Sequence, residues 1–287
     1  MPLPQGRRHP RFPAWNPGRM RLPGPAALLA NARDRDPARP LLTHYDDATG
    51  ERVELSATTL DNWVAKTANL LQDEFDVGPG STVAVALPVH WQTAAVLLGI
   101  WSCGATVVDT AAEDEGGLTG VDVVLAAQDR LPALEEEEGD AELLGLSLHP
   151  LGAGMAGYVG PARDFALEVR TAGDRFVPYG ASDPAARGLV AGGLELTLGG
   201  LVEAAGELAG RLGIGPDDRI LVDEQTATEA GPVAWLLAPL AAGASLVLCR
   251  HPFAERLPTR AATERVTATL GCRVDGVREL GRPAGRT

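Results

Sequence analysis

The residue types that most often carry out chemistry are few and scattered in this sequence. Cysteine occurs three times and histidine five times, without a CxxC or HxxxH pair: Cys103, Cys249 and Cys272; His9, His44, His90, His149 and His251. This spacing favours neither a disulfide framework nor a zinc site, and it is typical of small buried thiols in a reducing cytosol. The single lysine, Lys66, falls in a predicted helix, where we expect it to face solvent.

Two short motifs suggest a nucleotide site or a nucleophile, but each lacks the local context that such a site needs. Gly152, Gly154 and Gly157 match the GxGxxG dinucleotide fingerprint, which requires a strand before it and an uninterrupted helix after it. Pro161 interrupts that helix, so we interpret the segment as a glycine-rich connecting loop. Ser245 lies in the sequence GASLV, which lacks the second glycine of a nucleophile elbow.

The elements that would position these residues follow a regular order. From Pro25 to Val108 the pattern predicts a helix, a hairpin that turns at residues 46–50, and then helix, strand, helix and strand. Ser56 is placed to cap the second helix, whose apolar residues fall on one face: Leu60, Val64, Thr67, Leu71 and Phe75. The apolar runs TVAVAL and ATVVD indicate strands of a parallel sheet covered on both sides.

The order helix, strand, helix and strand returns between Leu196 and Leu248. Val77-Gly78-Pro79 corresponds to Ile214-Gly215-Pro216, and a GA turn precedes the last strand of both copies. The predicted fold class is therefore α/β, with two similar, mainly parallel subdomains packed together at residues 25–187 and 188–260 and a crevice for small ligands between them. We expect residues 1–24 to be a disordered basic leader and residues 261–287 to form a helix and a flexible tail.

Charge narrows the possible partners. The formal net charge is -13, although residues 1–24 contain five arginines and no acid. An acidic surface repels phosphate backbones, so we expect neither nucleic acid nor a membrane as partner. The acidic run at residues 135–138 is interpreted as a solvated helix end or loop. No apolar run reaches the roughly 18–20 residues that span a bilayer, and a cytoplasmic location is predicted. The basic start is either a leader or an overlong beginning ahead of Met20.

Residues 25–260 resemble the amino-terminal part of the adenylate-forming superfamily of acyl-CoA synthetases, peptide-synthetase adenylation domains and luciferases. The resemblance rests on Leu55-Ser56, Ala86-Leu87-Pro88 and Cys103-Gly104-Ala105 in the first copy, and on Leu196-Thr197 and Leu240–Ala244 in the second. The whole chain also resembles a short actinobacterial family that carries only this part of the fold. The resemblance implies two stacked α/β subdomains and, in complete enzymes, activation of a carboxylic acid with ATP.

The sequence departs from the superfamily at the loop that wraps the ATP phosphates. That loop, of the TSGTTGxPKG type, corresponds here to FVPYGASDPAARGLVAGGLELT, which has no serine-threonine run and no lysine. The resemblance leaves Tyr179, Gly180 and Ser182 as candidate cofactor-binding residues of a degenerate phosphate loop, while Asp183 adds negative charge where phosphate would lie. No catalytic or metal-ligating residue is predicted.

These departures predict a truncated, adenylate-forming-like protein without complete adenylating activity. It would bind a small acyl or nucleotide ligand, or a protein partner, and would need no cofactor. The alternative is a partial acyl-CoA synthetase that a partner chain activates, in which case ATP or AMP and magnesium would be the cofactors. Self-association through uncovered apolar surface is a third possibility.

Overall fold

Two mixed sheets and the helices packed against them form the protein, as seen in a computed structural model that describes residues 24–110, 118–137 and 139–281. Residues 1–23 of the expected leader therefore lie outside the described residues. The helices are α1 Ala26–Arg35, α2 Ala57–Phe75, α3 Trp91–Ser102, α4 Leu131–Leu134, α5 Phe165–Val169, α6 Leu198–Leu212, α7 Glu224–Pro232, α8 Ala238–Ala242 and α9 Leu257–Thr263. A π-helical turn, Val233–Leu237, joins α7 to α8.

Thirteen strands are assigned within those residues. They are β1 Pro40–Asp46, β2 Glu51–Ser56, β3 Thr82–Ala86, β4 Thr106–Asp109, β5 Val123–Ala127, β6 Glu142–Leu146, β7 Arg163–Asp164, β8 Arg187–Ala191, β9 Leu194–Thr197, β10 Arg219–Asp223, β11 Ser245–Arg250, β12 Ala268–Leu270 and β13 Arg278–Leu280. The first sheet has the order β7-β6-β5-β3-β4-β8-β9, and the second has the order β13-β12-β10-β11-β1-β2. Apart from the hairpin partners β2 and β9, neighbouring strands run parallel. The predicted α/β class is confirmed.

The two copies of the repeat exchange hairpins. Each copy reads hairpin, helix, strand, helix and strand, but the hairpin β1–β2 joins the second sheet, where β1 pairs with β11. In return, the hairpin β8–β9 joins the first sheet, where β8 pairs with β4. Each hairpin thus covers a strand that would otherwise be the open edge of the other copy's sheet. The division into subdomains at residues 25–187 and 188–260 stays a prediction. Each of the two sheets contains strands from both of these ranges.

Local capping fixes where the main helices begin. Ser56 accepts a hydrogen bond from the Thr59 backbone N–H at 3.1 Å, as predicted, and so caps α2. Thr197 caps α6 in the corresponding place of the second copy, accepting from the Gly200 N–H at 3.0 Å. Such caps satisfy backbone donors that the first helical turn leaves without a partner. The predicted face of α2 packs into the main core, with Leu60, Val64, Thr67 and Leu71 buried and Phe75 half-buried.

Two expectations about the chain are wrong. The first is the helix and flexible tail expected after residue 260. In the structure α9 already ends at Thr263, and the described residues up to 281 then add β12 and β13 to the second sheet. The segment AATERVTATL at residues 261–270 holds both the end of α9 and the strand β12, and sequence cannot separate them because a short buried strand and a buried helical segment share the same apolar pattern. Lys66 is half-buried, not solvent-facing, because its ammonium donates to the Ala172 carbonyl at 2.5 Å.

The apolar stretches of α3 and of residues 233–242 are helical and buried in the core. Among the described residues, no helix combines the length and the apolar character needed to cross a bilayer.

Candidate functional site

A cavity of about 830 Å³ opens where the carboxyl ends of the parallel strands of both sheets meet. The first sheet contributes the ends of β3, β4, β5 and β6, and the second contributes Asp46 at the end of β1 and Arg250 at the end of β11. Ligands of open α/β sheets bind at this end of the strands, and the volume is that of a small-molecule pocket. The exchange of hairpins creates the site, because it carries β1 across to face the first sheet.

The floor of the cavity is apolar. Leu97 of α3, Val107 of β4, Leu146 of β6 and Trp235 of the π-helical turn line it, and all four side chains are almost fully buried. Gly231 lines the wall beside them at a kink inside the last turn of α7, with φ 73° and ψ 176°. Those angles are open almost only to glycine, so this residue type sets the path of the chain around the cavity.

The rim is charged, and its two arginines differ in their surroundings. Arg250 forms ion pairs with Asp46 at 3.3 Å and with Glu224 at 3.2 Å, so acids already neutralise it. Arg130, which is exposed at the carboxyl end of β5, makes no ion pair with any residue of the described ranges. The guanidinium of Arg130 is therefore available to an anionic group at the mouth of the cavity.

A buried polar cluster adjoins the cavity at the contact between the exchanged hairpin and α3. His44 of β1 and Glu51 of β2 lie on the inner face of the second sheet, and His90 caps α3. Glu51 Oε1 lies 3.2 Å from His44 Nδ1 and 3.5 Å from His90 Nε2. The two imidazole rings meet edge to face, with centroids 4.3 Å apart. Glu51 also lines the cavity, so the cluster reaches its wall.

The environment decides which groups of this cluster carry charge. Burial raises the pKa of the Glu51 carboxyl, but its close contacts with the His44 and His90 rings outweigh this and lower the pKa to about 2. Burial lowers the pKa of His90 to about 4, although Glu51 opposes this shift. Near pH 7 Glu51 is therefore an ionised carboxylate and His90 a neutral imidazole. His44 and Glu51 meet within one hairpin, but the sequence could not place His90 beside them, because that contact depends on tertiary packing.

The three cysteines are free thiols, with Cys103 and Cys249 buried and Cys272 half-buried. Burial raises the pKa of Cys103 to about 12 and that of Cys249 to about 11. The pKa of Cys272 is also raised by burial, to about 12. All three thiols stay protonated near neutral pH, so they are poor nucleophiles. The expectation of buried thiols is confirmed for Cys103 and Cys249.

The three candidate residues of the phosphate loop lie near the amino ends of β3 and β4, whereas the cavity lies at the carboxyl ends of these strands. The Tyr179 hydroxyl donates to Asp73 at 2.8 Å and its backbone N–H donates to Gln72 at 2.9 Å, both near the end of α2. Gly180 and Ser182 pack beside Pro79 and Gly104, which precede β3 and β4. None of the three lines the cavity at the carboxyl ends of the strands. Their role in cofactor binding stays a prediction.

The glycine-rich segment at residues 152–157 is a loop, as predicted, because no helix follows it before residue 165. Gly152 and Gly157 adopt positive φ angles of 63° and 70°, which a dinucleotide-binding helix would not allow. Gly154 lies on the cavity wall. The segment thus shapes one side of the cavity without forming a phosphate-binding turn.

Comparison with solved structures gives strong matches to synthetases and ligases that use coenzyme A. An acyl-CoA synthetase from Brucella canis superposes with a TM-score of 0.68 at 20% identity, over 85% of this chain and 47% of that one. A benzoate CoA ligase from Burkholderia xenovorans LB400 superposes with a TM-score of 0.66 at 20% identity, over 86% and 50%. The N-terminal domain of FACL13 from Mycobacterium tuberculosis gives a TM-score of 0.67 at 16% identity, over 86% and 62%.

This chain therefore has the fold of the amino-terminal domain of adenylate-forming enzymes, and it spans about half the length of the solved synthetases and ligases that it matches. No family model matches the sequence. A protein of Mycobacterium tuberculosis (strain ATCC 25618 / H37Rv), named "TIGR03089 family protein", is 44% identical over 251 residues, which are 85% of this chain and 96% of that protein. The chain belongs to the TIGR03089 family.

Proposed function

We propose that this protein binds a small acyl carboxylate in the cavity between its two sheets and does not by itself complete adenylation. The observation that carries the proposal is the combination of an apolar floor with one arginine, Arg130, that is not ion-paired with any described residue. An acyl or aryl tail would lie against Leu97, Val107 and Trp235, where burial of apolar surface favours it. The carboxylate would then lie at the rim within reach of Arg130.

The charged residues at the rim favour a ligand with a single negative charge and disfavour a triphosphate. Asp46, Glu51 and Asp129 face the cavity together with Arg130 and Arg250, and Arg250 is already engaged by Asp46 and Glu224. ATP needs several converging cations, hydroxyls and backbone N–H groups around its phosphates. Tyr179, Gly180 and Ser182 are proposed as the remnant of such a loop, and their position by α2 and Gly104 leaves them away from the cavity lining.

Isothermal titration calorimetry with octanoate, benzoate, octanoyl-CoA, AMP and ATP tests this proposal on the full chain. We expect one carboxylate per chain, bound at micromolar to millimolar concentrations, with weaker or no binding of ATP. A panel without any bound carboxylate would contradict acyl binding in the cavity. A nucleotide that binds more tightly than every carboxylate would also contradict this proposal and would favour the nucleotide ligand that the sequence left open.

The alternative function is a partial acyl-CoA synthetase whose remaining parts a partner chain supplies. The observation that favours it is that the chain spans about half the length of the matched synthetases and ligases. Pyrophosphate release from ATP, magnesium and octanoate measures it directly, first with the chain alone and then with candidate partner proteins. Release by the chain alone would contradict the main proposal, whereas release only with a partner would establish the alternative.

Partners and location are also proposals. A protein partner or a second copy of the chain is the remaining class of binder, and light scattering after size exclusion measures self-association. Neither nucleic acid nor a membrane is proposed, because the net charge of -13 repels both surfaces. The three free thiols support a reducing cytoplasm as the location.

A further inference from the structure

The buried cluster of His44, Glu51 and His90 touches the acyl cavity only through Glu51, and it holds three side chains of metal-ligating type in one place. Within the described residues, it is the one group of at least three histidine, cysteine, aspartate or glutamate side chains whose ligand atoms all lie within 4.8 Å of one another. We propose that these three residues bind a transition-metal dication of the zinc, cobalt and iron class at the wall of the cavity.

The distances suit the first coordination shell of such an ion. Metal–nitrogen and metal–oxygen bonds of about 2.1 Å in a tetrahedral arrangement separate neighbouring donor atoms by about 3.4 Å. Glu51 Oε1 lies 3.2 Å from His44 Nδ1 and 3.5 Å from His90 Nε2. Two imidazoles and one carboxylate are a recurrent ligand set of zinc and non-haem iron, and imidazole disfavours magnesium and calcium.

The cluster is also incompletely satisfied by hydrogen bonds. His90 Nε2 is buried and makes no well-formed hydrogen bond, although it lies 3.5 Å from Glu51 Oε1, whereas buried polar atoms in folded proteins are nearly always paired. A cation would occupy the space between these rings and Glu51 and would compensate the charge of the buried carboxylate. Because Glu51 forms part of the cavity wall, an ion would have a route of entry from the cavity.

Metal binding has a definite consequence for the tautomer of His90. At present His90 Nδ1 accepts from the Gln92 N–H at 3.1 Å, which caps α3 and leaves the proton of the neutral ring on Nε2. Coordination through Nε2 moves this proton to Nδ1 and costs the cap. One helix cap is a small loss beside the free energy that three ligands gain from a transition metal. The metal would also connect the exchanged hairpin directly to α3.

The substitution His90→Asn tests the metal-binding role of residue 90 apart from its role as the cap of α3. Asparagine is among the best capping residues, so His90→Asn keeps an acceptor for the Gln92 N–H while it removes the imidazole. Glu51→Gln removes the charged ligand at nearly constant shape. His149→Asn is the matched control, because His149 is exposed and is not part of the cluster.

The experiment titrates the metal-stripped full chain with Co²⁺ and Zn²⁺ in the absence of any acyl ligand, so that its outcome is independent of the proposed function. We expect one Co²⁺ per chain with visible ligand-field absorption, displacement by Zn²⁺, and a higher melting temperature with Zn²⁺. Affinity should fall by about 10-fold to 100-fold or more in Glu51→Gln and His90→Asn and stay unchanged in His149→Asn.

Two results would overturn the metal site. The first is wild-type protein that develops no cobalt absorption and retains no zinc after dialysis. The second is a folded His90→Asn variant, verified by circular dichroism, that binds Co²⁺ as tightly as the wild type.

Discussion

Replacing Arg130 with glutamine should weaken the binding of carboxylates and leave the fold intact. The side chain lies at the mouth of the cavity, is exposed, and makes no ion pair within the described ranges, so the protein has no structural need for its charge. A hydrogen bond to a charged group contributes about 1.5–3 kcal/mol. Exposure to solvent screens this contact, which brings the expected loss to about 1.5 kcal/mol, or roughly tenfold in Kd.

The assay compares two ligands of the same shape and different charge. Calorimetry with octanoate should show the tenfold loss in Arg130→Gln, whereas octanamide should bind the variant and the wild type alike. Arg211→Gln is the matched control, because Arg211 is exposed on α6 and does not line the cavity. We expect the free energy of unfolding of both variants to stay within about 0.5 kcal/mol of the wild type.

The difference between the two ligands is the decisive quantity. An equal loss of affinity for octanoate and octanamide would mean that Arg130 shapes the cavity and does not recognise charge. Unchanged octanoate binding in Arg130→Gln would refute the assignment of Arg130 as the carboxylate partner. The same tenfold loss in Arg211→Gln would show that net charge, and not this position, controls the affinity.

Three further substitutions test the fold around the cavity. Asp47→Ala leaves the buried Arg260 guanidinium without its partner at 2.6 Å, so chemical denaturation should show a loss of about 3 kcal/mol. Burial raises the pKa of Asp47, but its hydrogen bond from Arg260 helps to lower it below the usual value, so wild-type stability should fall as pH drops below about 4 and the variant should lack this part of the decrease. Trp101→Phe removes the indole N–H that donates to the Gly188 carbonyl at 2.8 Å in the core. The free energy of unfolding should fall by about 1–3 kcal/mol, and hydrogen exchange should become faster mainly at residues 187–197. Gly231→Ala places a side chain at φ 73° and ψ 176°, so calorimetry should show weaker octanoate binding, and chemical denaturation should show a loss of about 1–3 kcal/mol in the free energy of unfolding. Wild-type behaviour of any of these three variants would contradict the contact or the backbone conformation on which its prediction rests.

The features that depend on neighbouring residues could be predicted from the sequence. Ser56 marks the start of α2 because a serine side chain can accept from an N–H three residues later. The apolar face of α2 and the apolar runs of β3 and β4 follow from the periods of helix and strand. The repeat was visible for the same reason, since each copy uses the same helix and strand order.

The features that depend on distant pairing could not be predicted. Nothing in the sequence near β1 shows that it pairs with β11, some 200 residues away, because parallel pairing depends on tertiary packing. His90 joins His44 and Glu51 only through tertiary packing of α3 against the hairpin, so histidine spacing along the chain gives no sign of the cluster. For the same reason, the sequence does not distinguish β12 from a helical segment, because its partner β10 lies about 48 residues earlier in the chain.

The most direct test of the central claim is the location of a bound carboxylate. A crystal of the full chain grown with an ω-bromo fatty acid gives an anomalous signal that marks the ligand tail. We predict a single bromine peak in the cavity floor near Leu146 and Trp235, with the carboxylate directed toward Arg130. A bromine peak on the outer surface, or an empty cavity at a saturating concentration of the acid, would contradict the proposal that this cavity is an acyl-binding site.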